Sequence, residues 1–212
     1  MNKVIYIIRH GQTDYNKNGI VQGSGVDSSL NEVGRLQSKQ FFNHYNQKIK
    51  FDLIIHSALK RTKETVAPWI DLSQSKVLED KRINEISWGD HEGKKGTPAD
   101  AILYREIMMA WSSGNYNIGI QNGETAQDLY DRMLNFVHDL RQMDEEQILI
   151  CSHGRALKCM LSTLENKPPS EMQKYNISNV GLHLVHQKGN AFEVLKFNDT
   201  SHRTSLPNHL KD

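Results

Sequence analysis

Only two cysteines, Cys151 and Cys159, occur among 212 residues. That scarcity excludes a disulfide framework and matches a reducing compartment, and both thiols read as core packing. No group of cysteines and histidines has zinc-like spacing, so neither a metal nor a cofactor is expected. Charge of one sign is also missing: 26 lysines and arginines against 25 acids leave +1. Such a balance gives no global case for nucleic acid or an acidic membrane, and any anion must be met by a local cluster. Long apolar runs are absent too. The N-terminal one covers residues 4–8, too short for a signal peptide or a membrane span, which makes a cytoplasmic location the expectation. Repeats and low-complexity tracts are lacking. The length suits one domain over residues 1–212, with a lid or insertion at about 88–122. Nothing in the chain fixes an oligomeric state.

What the chain does have is polar groups at strand ends. Val4-Ile5-Tyr6-Ile7-Ile8 reads as a buried strand and stops at Arg9-His10-Gly11-Gln12-Thr13. A guanidinium and an imidazole are costly to bury alone, so a cleft that meets a phosphate or carboxylate suits them. The plainer alternative is a strand leaving to solvent through a polar turn.

Residues 14–29 follow as a long polar loop with Asn16, Gly19, Gly23 and Gly25. Asn31 caps an expected helix running to about residue 47, with Val33, Leu36 and Phe41 or Phe42 inward. Residues 51–56 form a second strand, ending at Ser57 with Arg61 nearby on a helix that carries Val66, Trp69 and Ile70. A weaker strand, 76–79, leads to Arg82-Ile83-Asn84-Glu85-Ile86. Residues 88–122 are irregular, with Lys94-Lys95 and a short helix holding Met108 and Trp111. A helix from Glu124 presents Leu129, Met133, Phe136, Val137 and Leu140 on one face. The strand 147–151 ends in Ser152-His153-Gly154, and a helix starts at once. Residues 180–186 and 192–197 look like a hairpin, and the tail after His202 is expected to fray. This alternation predicts an α/β sandwich of three layers around a mostly parallel sheet, with an antiparallel edge.

Carboxyl ends of parallel strands share one edge, so Arg9-His10, Ser57 with Arg61, Glu85 and Ser152-His153-Gly154 could converge there. The last of these opens a helix, whose free N–H groups favour an anion. Two arginines can clamp phosphate oxygens with forked bonds that a lysine cannot match. One neutral imidazole can attack phosphorus while a second stabilises oxygen charge. Arg9 and Arg61 should disfavour protonation of His10, and Glu85 is the candidate acid for the leaving oxygen. No metal is required. Asp80, Asp90 and Glu92 are rival acids, and Glu85 could instead pair with Arg82 or Lys81 at the surface. His56, His91, His183, His186 and His202 show no arrangement that suggests a metal site.

Arg9-His10-Gly11-Gln12-Thr13 with Asn16 resembles the signature of the histidine phosphatase superfamily, the phosphoglycerate mutase-like enzymes. The resemblance continues through Gln22-Gly23, Leu30, Asn31, Gly34, Ser57-Ala58-Leu59-Lys60-Arg61-Thr62 and Thr65. It also takes in Asn84-Glu85, His91-Glu92-Gly93, Gly123-Glu124-Thr125 and Ser152-His153-Gly154, reaching about His202. It implies the phosphoglycerate mutase-like fold, with His10 as the phosphorylated nucleophile. Arg9, Arg61 and His153 would form the phosphate pocket with help from Asn16, Glu85 would donate the proton, and Gln22 and Gly23 would border the pocket. Ala58 stands where the family usually has proline, and Ser28-Ser29 replaces a small-residue and proline step.

The implied activity is hydrolysis of a small phosphorylated metabolite through a phosphohistidine, similar to the broad-specificity or α-ribazole phosphate phosphatases. A cofactor-dependent phosphoglycerate mutase is the alternative. Mutases of this kind carry a longer insertion with an arginine pair, whereas residues 88–122 are compact and offer Lys94-Lys95. These two lysines could read the far end of an anionic substrate or be a solvated turn. Trp88 and Trp111 could line a substrate pocket or pack the lid on the core. From another class, a non-catalytic phosphate-binding module would need no acid beside the leaving group.

Overall fold

Three strands divide their apolar side chains between two faces by strict alternation. In β1 (Asn2–Arg9), Ile5 and Ile7 enter one core cluster and Ile8 the other. In β2 (Leu53–His56), Leu53 and Ile55 oppose Ile54, and in β4 (Gln147–Ser152), Ile148 and Ile150 oppose Leu149 and Cys151. A strand buried on both faces needs a helical layer on each. One layer holds α2 (Glu32–Tyr45) and α3 (Lys60–Leu72), which supply Phe41, Val66 and Trp69. The other holds α5 (Ala126–Gln142) and α6 (Gly154–Leu164), with Leu129, Met133, Phe136, Leu157, Met160 and Leu161 fully buried. The structure, a computed structural model, describes residues 2–204.

The six strands run in the order β3-β2-β4-β1-β5-β6. The first four are parallel, β3 being Lys76–Glu79, and β5 (Leu182–Lys188) and β6 (Ala191–Asp199) extend the sheet antiparallel. This is the expected three-layer architecture with its antiparallel edge. β3 is exposed along its whole length, consistent with a weakly patterned edge strand. The hairpin turns at Gly189, whose φ of 60° suits a residue without a β-carbon.

Three expectations are corrected. The loop after β1 opens with a single helical turn, α1 (Asp14–Lys17), because Thr13 and Asn16 form a reciprocal capping box. The helix in the 88–122 segment is long: α4 covers Pro98–Ser112, started by a Thr97–Asp100 capping box with proline in its first turn. Its sequence hides this because Ile102, Leu103 and Met109 face solvent while Ile107 and Trp111 are buried, so no single apolar stripe stands out. In α2 the buried face is Gly34, Gln37, Ser38 and Phe41, and Val33 and Leu36 are only partly covered. That face seats the turn after β1. A β-carbon on Gly34 would lie 2.1 Å from the Gln12 carbonyl oxygen, so only glycine permits the approach.

His202, the last residue before the tail expected to fray, is buried against Phe41 at a ring distance of 5.2 Å. The tail from residue 205 onward lies outside the described residues. Among the described residues no helix is long and apolar enough to cross a membrane. Cys151 and Cys159 are buried free thiols, as core packing requires.

Candidate active site

Strand register decides where the polar ends meet. Arg9 of β1 lies beside Ser152 of β4, and His56 of β2 lies beside Cys151. The next residues continue the alignment: His10 N–H donates to Ser152 O at 3.0 Å, and Ser57 N–H to Cys151 O at 3.3 Å. Arg9-His10, Ser57 and Ser152-His153 therefore leave the sheet at one level, along the carboxyl edge where ligands bind in open α/β sheets.

His10 is buried, and its Nδ1 lies 2.7 Å from the Gly11 carbonyl. A carbonyl only accepts, so Nδ1 carries the proton and Nε2 keeps its lone pair. The rings of His10 and His153 are 5.2 Å apart. His153 adopts the opposite tautomer. Arg61 Nε–H donates to its Nδ1 at 3.1 Å, so Nε2–H donates to Ser57 Oγ at 2.7 Å. Ser57 in turn sits 2.8 Å from Thr62 Oγ1, whose hydroxyl donates to the Leu59 carbonyl. Burial, followed by the charges of Arg9 and Arg61, holds His10 well below the ordinary imidazole range, against the Gly11 hydrogen bond. Burial and then Arg61 do the same for His153.

Arg61 is fully buried in the first turn of α3. Its Nη1 donates to Val26 O at 2.7 Å and its Nη2 to Gly23 O at 3.1 Å, which ties the loop of residues 23–26 to the site. Burial lowers its pKa to about 10, so it remains a cation near neutral pH. Arg9 Nη1 donates to Ile177 O at 3.2 Å, while its buried Nε has no hydrogen-bond partner among the described residues.

Glu85 joins this group and does not pair at the surface. Its Oε1 accepts from Ile86 N–H and Ala156 N–H, and its Oε2 accepts from Arg155 N–H at 3.1 Å. His153 holds the N-cap position of α6 without a side-chain cap bond, and the Glu85 carboxylate supplies that cap from outside. A β-carbon on Gly154 would lie 3.6 Å from Glu85 Oε2 and 3.7 Å from Arg9 Nε, so both face the same point. Of the rival acids, Asp80 and Asp90 are engaged elsewhere, while Glu92 keeps a buried Oε2 without a partner among the described residues. Asp80 forks onto Arg82, Asp90 accepts from Asn122, and Glu92 Oε1 accepts from Trp88 N–H. Glu92 alone of the three bears on Arg61, through its charge.

The loop residues are held by the turn after β1. Asn16 Oδ1 accepts from Thr13 N–H at 3.3 Å, and Gln22 Oε1 accepts from Thr13 Oγ1 at 3.1 Å. Gly23 packs so tightly that a β-carbon would lie 2.6 Å from Ile86 O. Gln22 also lines a cavity of about 440 Å³ with Trp88, Tyr104, Ala101 and Ile120. Trp88 stacks on Trp111 at 6.2 Å within the core cluster and also lines this cavity. Lys94 Nζ donates to Asp90 O, beside a smaller hollow that Lys95 also lines. A larger groove of about 1080 Å³, with Asp52, Trp69 and Lys76, lies at the amino ends of the strands, away from all these groups.

Two positioning residues lie outside the candidate set, Arg132 not singled out in the sequence and Thr65 named there only as part of the resemblance. Arg132 of α5 donates to the Arg82, Asn84 and Glu85 carbonyls and pairs with Glu124 at 2.7 Å, fixing the segment that carries Glu85. Its only signal is a charge beside the apolar stripe of α5, eight positions after Glu124. Thr65 Oγ1 accepts from Gly11 N–H at 2.9 Å and donates to Arg61 O, coupling α3 to the His10 turn.

The neutral histidines have a consequence for stability. Burial also lowers His183 to about 4, and its Nδ1 accepts from Asn198 N–H. All three are depressed in the fold and titrate near 6.5 when unfolded, so the unfolded chain binds more protons as pH falls below about 6.5. Their stabilisation is complete above that value and is lost on acidification. The midpoint of urea unfolding is expected to fall steadily from about pH 6.5 to about pH 5. A midpoint that stays level over this interval contradicts the assignment.

A mostly parallel sheet with two arginines, two neutral imidazoles and a carboxylate at its carboxyl edge defines an α/β enzyme of the phosphatase or mutase kind. The profile of the histidine phosphatase superfamily (branch 1) matches residues 5–200, and the chain belongs to that superfamily. It is 25% identical over 201 residues to phosphoserine phosphatase 1 of Hydrogenobacter thermophilus, covering 93% of each chain. It is 26% identical over 194 residues to a 2,3-bisphosphoglycerate-dependent phosphoglycerate mutase of Mesorhizobium japonicum, covering 88% of this chain and 93% of that one. The solved α-ribazole phosphatase of Shigella flexneri superposes with a TM-score of 0.80 at 24% identity, over 97% of this chain and all of the other.

Proposed function

We propose that this chain is a phosphomonoesterase that hydrolyses a small phosphorylated metabolite through a phosphohistidine on His10. One observation carries the reading: a buried neutral imidazole whose Nδ1 proton is tied to Gly11 O, leaving Nε2 bare among two guanidinium groups. Nε2 attacks phosphorus as the ester oxygen departs, so an N–P bond forms while the P–O bond to the alcohol breaks. Glu85, through Oε2, passes to the departing oxygen a proton taken up together with the substrate. Water then attacks the phosphohistidine, Glu85 takes its proton, and phosphate leaves with His10 restored. Arg9 and Arg61 hold the equatorial oxygens, with Asn16, Gln22 and the Gly23 backbone at the rim. His153 stays neutral, its Nδ1 accepting from Arg61 Nε–H and its Nε2–H donating to Ser57, and so aims the Arg61 guanidinium at the phosphate.

The mutase is the second reading, favoured by the Mesorhizobium relative. A mutase must keep the phosphoryl group from water, and here the lid lysine Lys94 is spent on the Asp90 carbonyl. Turnover of p-nitrophenyl phosphate in the presence of EDTA, with 3-phosphoglycerate isomerisation measured in parallel, separates the possibilities. Hydrolysis of the ester without isomerisation is expected. Isomerisation as the faster reaction favours the mutase, and no turnover of any ester favours a phosphate-binding module.

A further inference from the structure

Arg155 is the second residue of α6, and its backbone N–H is one of the donors to the Glu85 carboxylate. The residue is 8% exposed, yet among the described residues its guanidinium bonds to the Tyr104 hydroxyl and not to a carboxylate. Buried guanidinium groups are rare without a partner. The group sits instead in a cage of rings, 6.0 Å from Trp88, 5.8 Å from Tyr104 and 5.7 Å from Trp111. Such cation–π contacts compensate a part of the lost hydration. Nη2 donates to the Tyr104 hydroxyl, and the buried Nη1 has no partner among the described residues. Trp88 and Tyr104 also wall the 440 Å³ cavity that reaches Gln22. Tyr104 lies on α4 with 39% of its surface exposed, so its hydroxyl is the one neighbour of the guanidinium that a ligand could displace.

The local charge points the same way. Lys158, one turn further along α6, is lowered by burial and then by the nearby Arg155 and Arg9. Arg9 and Arg155 thus meet at the amino end of α6, where the dipole adds further positive potential. Glu85 is the acid that bonds to this end. A phosphate on Arg9 and Arg61 leaves the Arg155 guanidinium unmatched.

We propose that Arg155 receives a carboxylate of the substrate, so that the enzyme acts on phosphorylated short-chain carboxylic acids, with the Tyr104 hydroxyl holding the place of that carboxylate in the free enzyme. The proposal rests on the phosphomonoesterase reading above. A planar carboxylate matches the fork of a single guanidinium, and Trp88 and Tyr104, which flank that guanidinium, also wall the cavity that Gln22 borders.

O-phospho-L-serine and O-phosphoethanolamine differ only in the carboxylate, and p-nitrophenyl phosphate serves as a carboxylate-free reference. The wild type is expected to favour phosphoserine over phosphoethanolamine by at least about tenfold in kcat/KM, since an unpaired buried cation penalises the analogue. In Arg155→Met this ratio is expected to fall to within about twofold, with phosphoserine losing at least about tenfold more than p-nitrophenyl phosphate. Tyr104→Phe removes the competing hydroxyl, keeps Arg155, and is expected to raise the ratio. Calorimetric binding of the two compounds reads the same preference without turnover. A wild type indifferent to the carboxylate overturns the proposal, as does a preference that survives Arg155→Met. Equal losses on all three esters would make Arg155 a strut between α4 and α6. Carboxylate-selective binding without hydrolysis of any ester would leave this proposal standing and remove the phosphatase reading instead.

Discussion

His10→Ala is expected to lower phosphomonoester turnover by at least about 10⁴-fold, the scale at which loss of a covalent nucleophile registers in other enzymes. The geometry leaves no substitute. His153, the other imidazole in the pocket, has Nδ1 occupied by Arg61 and Nε2 by Ser57. Serine hydroxyls nearby are likewise committed, Ser57 to the His153–Thr62 relay and Ser152 to the Ile83 carbonyl at 2.7 Å. The variant should keep its fold, because the His10 side chain makes a single hydrogen bond, to its own neighbour Gly11. Steady-state kinetics with p-nitrophenyl phosphate, beside a circular dichroism spectrum, checks both halves. Turnover within about tenfold of wild type would place the nucleophile elsewhere.

Arg61→Lys is the second large effect, expected at about 10²–10³-fold in kcat/KM. Charge is conserved, so the loss isolates geometry. The guanidinium spreads three N–H donors over His153 Nδ1, Val26 O and Gly23 O, a span no single ammonium reaches. The lysine variant leaves at least one of these buried acceptors without a partner, at about 1–3 kcal/mol of stability. It also frees His153 Nδ1, so the tautomer that points Nε2–H at Ser57 is no longer enforced. Activity and urea midpoint should therefore fall together. Near-normal rates in Arg61→Lys would mean that the pocket needs charge alone.

The same particulars show what a linear reading could reach. Arg9, His10 and His153 were legible because each follows an apolar strand, and parallel strands share a carboxyl edge whatever the intervening chain does. Arg61 was legible as a charge in the first turn of the helix after β2. Glu85 was legible as an acid between two elements, but its bonds to the first turn of α6 join positions some seventy residues apart, and no local pattern announces them. Arg132 was hidden for a related reason. Its partners are backbone carbonyls of the Glu85 segment, and carbonyls carry no sequence signature. The buried face of α2 was misjudged because hydrophobic periodicity locates greasy surfaces. That face instead needs Gly34 and Ser38 for closeness and Gln37 as an acceptor for Gln12 N–H. Arg155 was invisible to pattern reading, since an arginine in a first helical turn is ordinarily solvated. Only the arrival of Trp88, Tyr104 and Trp111 from the 88–122 segment buries it.

The central claim is that the bare Nε2 of His10 takes the phosphoryl group. Alkaline quenching of the enzyme during turnover, followed by peptide mass spectrometry, locates any covalent phosphoryl group and tests this directly. The account predicts an acid-labile phosphoryl group on the peptide containing His10, lost in His10→Ala. A phosphoryl group on His153 or on a serine, or active enzyme that never carries one, would contradict it.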